Sequence, residues 1–444
     1  MTFQELLFRE AENRGFTDVE IYFVKKEVFG CQIYNGEIDQ YEIAEDGGLS
    51  FRGKINGKMG YAYTEKIDEA SIPYLIENAM ENASVLIDDE GEEIFAGSER
   101  YAKGDFFSES LQEVGIPEKI DFIREVEKEL LAIDPRFQPT DFCGIRTESV
   151  IKTLANNKGL NVSDKLNVLY VYVQAIVKDG EEKKTSFEFK VTKDFHKLNA
   201  KEIAQKAAKE ALAQLGSKSI ESRKYPVLLR NDAAAQLLAV YSGNFSAENT
   251  QAGTSPLKDK QGKEIASAKV TIVDDPFHEG GLGCRTFDSE GVATKKLTVV
   301  ESGVLQSLLH NLKTARKEQT STTGHAHKSS YKSAIKVGPS NFYIEPSLRE
   351  FSELVSGMEE GILITELSGL HSGANTVSGD FSVAANGFYV KSGKVQYPVN
   401  LMTIAGNFYE MLKDVVEIGS DLVFPLSPIG SPSILVKSLS VTVE

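Results

Sequence analysis

Residues 370–399, LHSGANTVSGDFSVAANGFYVKSGKVQYPV, alternate turn-forming residues with strand-forming ones. Glycines punctuate this stretch at Gly373, Gly379, Gly387 and Gly393. Glycine adopts positive φ at little cost, so the spacing suits tight turns or a close approach between backbones. Residues 388–390 are strand formers, and the polar Lys-Ser-Gly-Lys that follows predicts a turn into a second strand. On these residues alone, an array of β-hairpins is the favoured interpretation.

The rest of the second half has the same character. Helical spacing of apolar residues is confined to residues 233–241, 307–314 and 348–357. Short strand-like runs, separated by turns at intervals of about 8–12 residues, fill the remainder. This pattern predicts a β-rich C-terminal domain with a barrel-like or sandwich core over residues 221–444.

The first half reads as mixed α/β. Its predicted elements follow in this order: helix 2–14, a meander of short strands over 19–63, helix 67–86, a helix from Ile116, strands over 141–192 and helix 199–215. Asn35-Gly36 and Asn56-Gly57 are hairpin-turn signals within the meander. The polar residues 217–224 predict a boundary, which gives an N-terminal α/β domain over residues 1–220 and an α+β fold overall.

Composition excludes several functional classes. The chain has 444 residues, enough for two or three domains, and its 41% hydrophobic and 26% charged residues are ordinary for a soluble globular protein. A net charge of −16 argues against a broad nucleic-acid footprint. The apolar runs fall short of the ~20 residues that a membrane helix needs, and the acidic start does not resemble a signal peptide. Three widely separated cysteines predict no disulfide framework, so we expect a cytoplasmic protein.

The histidines give weak support for a metal site. His325-Ala-His327 is the only close pair, and on a strand both side chains point to the same side. The surrounding residues 320–330 are rich in Ser, Thr, Gly and Lys and predict a mobile loop, which disfavours a metal there. His278-Glu279 begins like a zincin motif, but no second histidine follows four residues on. A surface pair is therefore the favoured interpretation.

Nucleophile motifs are also missing from the sequence. There is no Gly-x-Ser-x-Gly elbow and no phosphate-binding Walker loop. Cys143 and Cys284 are possible nucleophiles, although buried structural cysteine is the favoured interpretation. From composition and motifs alone, the chain is a soluble two-domain α+β protein without a visible catalytic constellation.

An ordered series of short motifs adds information. The series comprises Ala252-Gly253-Thr254-Ser255, TIVDDP (271–276), FDSEG (287–291), VESGVL (300–305), LKTAR (312–316), NTVSGDFS (375–382), NGFYVKSG (386–393) and IGSD (418–421), with VEIY (19–22) and GGLSFR (47–52) earlier. In order and spacing, the chain resembles the TldD/PmbA family of peptidases, also called modulators of DNA gyrase, and within it the PmbA or TldE branch.

The resemblance implies a role without a metal on this chain. The active branch of the family carries His-Glu-x-x-x-His on the helix before the Gly-Thr-Ser turn, with a third zinc ligand from a cysteine near the C-terminus. Here the corresponding positions hold Ala239, Val240 and Asn244, and no cysteine follows Cys284. Alanine cannot ligate, valine cannot accept a proton, and an amide oxygen is a poor zinc ligand. We therefore expect no cofactor on this chain and zinc on a partner.

The resemblance also implies an assembly. A TldD-like zinc-bearing subunit is the expected partner, with a homodimer possible for the isolated chain, and the two subunits are expected to enclose a chamber that cleaves unfolded or short peptides. An extended peptide is expected to add to an exposed strand edge, and neither nucleic acid nor membrane is expected as a partner. The candidate chamber residues are Asn375, Ser378, Gly379, Asp380, Phe381, Ser382 and Gly387. The alternative is that the glycines among them serve only the fold.

Two further hypotheses stay open at this point. One is a homodimeric peptide-binding protein without protease activity. The other is an independent hydrolase that uses Cys284, His278 or the pair His325 and His327.

Overall fold

A computed structural model describes residues 2–87 and 91–443 and shows a mixed α+β fold. The first sheet contains β1 (Asp18–Tyr34), β2 (Glu37–Ile55), β3 (Lys58–Thr64), β4 (Phe137–Gln138), β5 (Cys143–Asn156), β6 (Asn161–Asp179) and β7 (Glu182–Thr192). The strand order is β3-β2-β1-β5-β6-β4, with β7 along the other edge of β6. All of its pairings are antiparallel.

One face of this sheet is covered by helices. These are α1 (Phe3–Asn13), α2 (Ile72–Ser84), α3 (Glu109–Glu113), α4 (Ile116–Ile133) and α5 (Ala200–Ala213). Residues of alternate positions along each strand, such as Ile21 on β1 and Ile145 on β5, form the buried core beneath the helices. The opposite face holds the intervening residues, and there Tyr22 and Leu154 pack against Phe287 and Tyr331 of the second half.

The second half is built around a closed sheet. Its strands are β8 (Arg223–Leu229), β15 (Glu360–Ser368), β16 (Asp380–Lys391), β17 (Lys394–Pro398), β18 (Met402–Asn407), β19 (Val415–Ile418) and β21 (Ile434–Val443). The order β15-β8-β21-β18-β16 returns to its start because β16 also pairs with β15, which closes a barrel. The barrel-like core that the turn spacing predicts is therefore confirmed.

Shorter elements surround the barrel. A second sheet has the order β11-β10-β9-β14-β20, and its strands are β9 (Ile272–Asp274), β10 (Leu297–Glu301), β11 (Val304–Leu305), β14 (Phe342–Ile344) and β20 (Ile429–Gly430), beside the pair β12 (Ala326–His327) and β13 (Lys336–Val337). The helices are α6 (Asn231–Ser242), α7 (Ala247–Ala252), α8 (Leu312–Lys317), α9 (Phe351–Ser356), α10 (Leu370–Gly373) and α11 (Phe408–Lys413). Within residues 2–87 and 91–443, none of the helices combines the length and apolar composition that a bilayer crossing requires.

The prediction of a short-strand meander over residues 19–63 is wrong. β1 and β2 are long strands of 17 and 19 residues, and Asn35 and Gly36, both at positive φ, form the predicted hairpin turn. Gly48 does not break β2. A Cβ there would lie 2.4 Å from the ring of Tyr331, so the missing side chain makes room for a tertiary contact.

Other predicted elements are confirmed with small shifts in their bounds. The helix predicted over residues 199–215 is α5, and the helix over 233–241 is α6. The predicted helix over 307–314 begins instead at Leu312, where Asn311 caps the first turn. The division of the chain at about residue 220 stays a prediction. The sequence also predicts an acidic, irregular segment over residues 88–106, of which residues 88–90 lie outside the described residues.

Candidate functional site

The site that the sequence singles out begins on α6. Its alanine- and leucine-rich sequence favours a helix, and Leu237, Leu238 and Tyr241 lie within the barrel core. The ring of Tyr241 stacks on Phe408 with the ring centroids 4.4 Å apart. A 3₁₀ turn over Gly243–Phe245 leads from α6 into α7, which ends at Gly253 in the left-handed conformation. This packing fixes the position of each side chain on the helix.

The three positions that the resemblance assigns to the metal motif lie near the end of this helix and in the turn that follows it. Ala239 and Val240 are partly buried against the barrel core. Asn244 is 3% exposed, and its Nδ2 donates to the Thr376 carbonyl at 2.8 Å and to the Tyr409 hydroxyl at 2.7 Å. Both amide hydrogens of Asn244 are therefore engaged. Because Ala239 and Val240 carry no donor atom, these side chains do not fit a zinc ion.

The loop that receives the Asn244 hydrogen bond is an Asx-type turn. Asn375 Oδ1 accepts from the backbone N–H groups of Val377 at 2.9 Å and Ser378 at 3.2 Å. Gly379 has φ 85°, and a Cβ there would lie 2.9 Å from the Tyr409 ring. Glycine at this position therefore supplies the left-handed conformation and lets the turn rest on Tyr409.

Asn407 fixes the other side of the turn. Its Nδ2 donates to the Ser378 carbonyl and to Asp380 Oδ1, both at 2.9 Å. Hydrogen bonds to the Asp380 carboxylate, first from Asn407 and then from the Ser378 side chain, lower the pKa of Asp380. The exposed Asp380 carboxylate is therefore held in one orientation at the mouth of the turn.

The candidate chamber residues separate into two groups on β16 and its preceding turn. Asn375, Ser378, Asp380 and Ser382 are exposed. Phe381 is buried in the barrel core, and Gly379 and Gly387 are buried as well. A Cβ at Gly387 would lie 2.1 Å from the Leu363 carbonyl, so the close approach between β15 and β16 accounts for this glycine.

The structure thus brings Asn244 and the 375–382 turn together through two residues that the sequence did not identify. Tyr409 and Asn407 lie at the start of α11, where Asn407 Oδ1 caps the helix by accepting from the Tyr409 backbone N–H at 3.1 Å. The sequence Asn-Phe-Tyr-Glu carries a helix-start signal. It carries no signal for a contact with a turn about 30 residues earlier.

The histidine pair has a different environment from the one predicted. His325 is 2% exposed, and its Nε2 lies 3.0 Å from Asp274 Oδ1 while its Nδ1 lies 2.8 Å from the Thr323 hydroxyl. Asp274 Oδ2 also accepts from the Ser340 backbone N–H at 2.7 Å. The prediction of a mobile loop is wrong here because these buried hydrogen bonds tie the segment to β9 and to the residues before β14.

The other candidate catalytic residues, Cys143, Cys284 and His278, are packed against neighbouring side chains. Cys143 and Cys284 are buried, and burial raises the pKa of both thiols. The half-buried His278 ring contacts Tyr343 and Phe424, each with a centroid separation of 5.0 Å. In the described part of the chain, no three His, Cys, Asp or Glu side chains are grouped as a metal site requires.

Models of known protein domains and curated relatives match most of this chain. Three domain models of the PmbA/TldA metallopeptidases match the chain: domain 1 at residues 19–83, the central domain at 109–215 and the C-terminal domain at 222–443. Among curated relatives, a metalloprotease PmbA homolog of Haemophilus influenzae is 26% identical over 394 residues, which covers 87% of this chain and 84% of that protein.

Solved structures are similar along the whole chain. A crystal structure described as a putative modulator of a DNA gyrase from Thermotoga maritima has a TM-score of 0.92 and 33% identity, and covers 99% of each chain. The crystal structure of TldE from Thermococcus kodakarensis has a TM-score of 0.91 at 22% identity, and covers 99% of this chain and 100% of that one. At 22% identity, the second similarity concerns the fold alone.

Proposed function

The chain belongs to the PmbA/TldD family of metallopeptidases, and on this premise we propose that it is the zinc-free subunit of a heteromeric peptidase. Its partner is a TldD-like subunit that holds the zinc. In the assembly, this chain encloses and guides unfolded or short peptides while the partner cleaves them, in the cytoplasm.

The observation that carries this proposal is the engagement of Asn244. Its amide hydrogens are donated to Thr376 and Tyr409, so the residue fastens the 375–382 turn to the helix. A position that holds a metal ligand in the active branch of the family here supports a loop, and its neighbours Ala239 and Val240 add no ligand.

The exposed residues of the turn are proposed to face the peptide. Asp380 and Ser382 point outward from β16, next to the Asn375 turn. β16 pairs with β18 and β17 along one edge, and along the other edge with β15 at residues 384–391 and with the preceding turn through the Ala374–Phe381 bridge, so little of its main chain is free. Strand addition is therefore not expected at β16, and the proposed contacts are made by side chains and by the turn.

The test reconstitutes the pair. The purified chain, its TldD-like counterpart and an equimolar mixture are each given a fluorescently labelled unfolded polypeptide, and zinc is measured on each protein. We expect cleavage in the mixture only, and zinc only on the counterpart. Cleavage by this chain alone that a chelator abolishes, with one zinc per copy, would overturn the proposal. Peptide binding by a homodimer that never associates with the counterpart would favour the peptide-binding alternative.

A matched pair of variants tests the turn. The double variant Asp380→Asn, Ser382→Ala is expected to slow cleavage by the mixture without weakening subunit association. Asn386→Ala is the control because Asn386 is exposed on the same face of β16 and its side-chain amide donates to Glu366 at 2.9 Å, away from the turn. Equal cleavage rates for the two variants would show that the turn does not contact the peptide in the proposed chamber.

A further inference from the structure

The face of the first sheet that lies opposite its helices is polar where β1, β2 and β3 run side by side. The strand register places Glu20, Arg52 and Tyr61 in one row. The next row on the same face holds Tyr22, Ser50 and Tyr63. A sheet face of this composition does not form an apolar core. The segment that covers it must therefore form hydrogen bonds or ion pairs with its charged and hydroxyl groups.

A segment of the second half covers part of this face and leaves a cavity of about 440 Å³. Lys328 Nζ donates to Ser50 Oγ at 2.8 Å, and the Tyr331 hydroxyl donates to Glu65 Oε1 at 3.1 Å. Helix α2 forms another wall with Tyr74 and Asn78. The volume lies within the range of small-molecule and peptide-end pockets.

The cavity contains a buried ammonium group without a carboxylate partner. Lys328 is 6% exposed, and among the described residues no carboxylate lies within ion-pair distance of its Nζ. Ser50 accepts one of its three hydrogens. Its acidic neighbours are engaged elsewhere, because Glu20 is paired with Arg52 at 2.6 Å and Glu92 accepts from the Tyr61 hydroxyl.

A second buried cation beside the cavity is also under-satisfied. Arg52 is 3% exposed, and its Nη1 and Nη2 have no hydrogen-bond partner in the described part of the chain. Tyr61, which lines the cavity, lies directly opposite Arg52 in the strand register. Buried polar groups are nearly always satisfied in native proteins. Arg52 has two unpartnered nitrogens, and Lys328 has one hydroxyl acceptor and the Tyr22 ring 5.2 Å from its Nζ, so donors remain here for a ligand or water.

The side chains that line the cavity indicate which other chemical groups the ligand carries. The rings of Tyr61, Tyr63, Tyr74 and Tyr331 line the cavity, and Tyr63 and Tyr74 are about half exposed at its rim. Such rings favour a flat or apolar group. The amide nitrogens of Asn78 and Asn82 donate to the Tyr74 and Tyr61 carbonyls at 2.8 Å and 2.7 Å. Their side-chain oxygens therefore remain suited to accept from peptide N–H groups.

From this combination we infer that the cavity binds the carboxyl-terminal end of a peptide. The terminal carboxylate meets Lys328 and the Ser50 hydroxyl, the last side chain lies among the tyrosine rings, and the preceding N–H groups donate to Asn78 and Asn82. A single unpaired ammonium matches a monoanion. The other cation at the rim, Lys332, is already paired with Glu65 at 2.6 Å. This inference rests on the proposed function, which supplies peptides as ligands.

The test measures binding to the isolated full-length chain, without any partner or cleavage. Fluorescent hexapeptides that end in phenylalanine are compared as the free acid and as the carboxamide. We expect the acid to bind about tenfold more tightly or better, the difference that one buried charge-assisted contact makes. Lys328→Met is expected to abolish the preference, whereas the rim variant Lys332→Met retains it.

A second variant keeps the test decisive if Lys328→Met does not fold. Tyr74→Ala removes an exposed ring and is expected to weaken both peptides several-fold while the acid still binds better than the amide. Equal binding of acid and amide to the unaltered chain overturns the inference. Displacement of the peptide by inorganic phosphate at equal concentration overturns it too, since phosphate would then be the ligand.

The two proposals fail in different ways. If the acid and amide differ in binding but the mixture with the counterpart cleaves neither peptide, the heteromeric peptidase proposal fails and the cavity assignment stands. If the mixture cleaves peptides while the isolated chain binds acid and amide equally, only the cavity assignment fails.

Discussion

Asn244, beside the barrel, and the junction between the first sheet and residues 328–334 are both buried and polar, yet their hydrogen bonding differs. In the barrel, both hydrogens of the Asn244 amide find acceptors at normal distances. In the junction, Arg52 keeps two unpartnered nitrogens and Lys328 has one hydroxyl acceptor. This contrast indicates that Asn244 supports the architecture, whereas the junction leaves donors available to a ligand.

The largest expected effect comes from the ion pair at the junction. Glu20→Ala leaves Arg52 buried without its partner, which is expected to cost about 3–5 kcal/mol of unfolding free energy. Chemical denaturation measures the change. The control Glu10→Ala breaks the exposed pair with Arg9 and is expected to cost about 0–1 kcal/mol. If Glu20→Ala cost no more than this control, the contrast between the two regions would disappear.

The next effect tests the architectural role of Asn244. Asn244→Ala leaves the Thr376 carbonyl and the Tyr409 hydroxyl without this donor, and a loss of about 1–3 kcal/mol is expected. Combining it with Tyr409→Phe in a double-mutant cycle isolates the contact between the two side chains. Strictly additive losses would show that Asn244 does not hold the turn through Tyr409.

The protonation of Lys328 makes the stability of the junction depend on pH. Burial, and secondarily the Arg52 charge, lower the pKa of Lys328 to about 8, while Glu20 and Glu92 act in the opposite direction. The unfolded chain then holds this proton more strongly than the folded one, so this group lowers stability below pH 8. Its penalty is relieved between pH 8 and the ordinary lysine pKa of about 10.4.

Two measurements test this expected increase in stability with pH. Unfolding experiments are expected to show stability rising in this pH window for the unaltered chain more steeply than for Lys328→Met. The preference for peptide acid over amide is expected to decline above pH 8, because the neutral amine no longer attracts a carboxylate. A preference that is constant from pH 7 to pH 10 would contradict the assignment of Lys328.

The smallest stability effect is expected at the exposed turn. Asp380→Asn retains an acceptor oxygen for the hydrogen bond from Asn407 and removes only the charge of an exposed side chain, so the free energy of unfolding is expected to stay close to that of the unaltered chain. A loss of several kcal/mol would mean that Asp380 is part of the architecture. Cleavage by the reconstituted pair remains the readout for its proposed contact with peptide.

Much of the fold was predictable because it is encoded locally. The periodicity of α5 and α6, the Asn35-Gly36 turn and the strand-and-turn pattern of residues 370–399 all appear in the structure. The length of β1 and β2 was not predictable, because Gly48 resembles a turn residue until the Tyr331 ring that occupies its space is known.

The contacts within the candidate site were likewise not predictable from local sequence. The resemblance to the TldD/PmbA family identified the side chains at positions 239, 240 and 244. The contacts of Asn244 with Thr376 and Tyr409 join residues 132 and 165 positions apart. No local pattern reports such a pairing, since it depends on how β16 and α11 pack against α6.

Local patterns in the chain set which helices, strands and turns its residues form, because helix and strand periods and turn preferences act over a few residues. Tertiary structure decided that the barrel closes and that Ser50 and Lys328, separated by 278 positions, share one cavity. Long-range packing sets these neighbours, and burial then determines whether a charge is satisfied by the protein or left for a ligand.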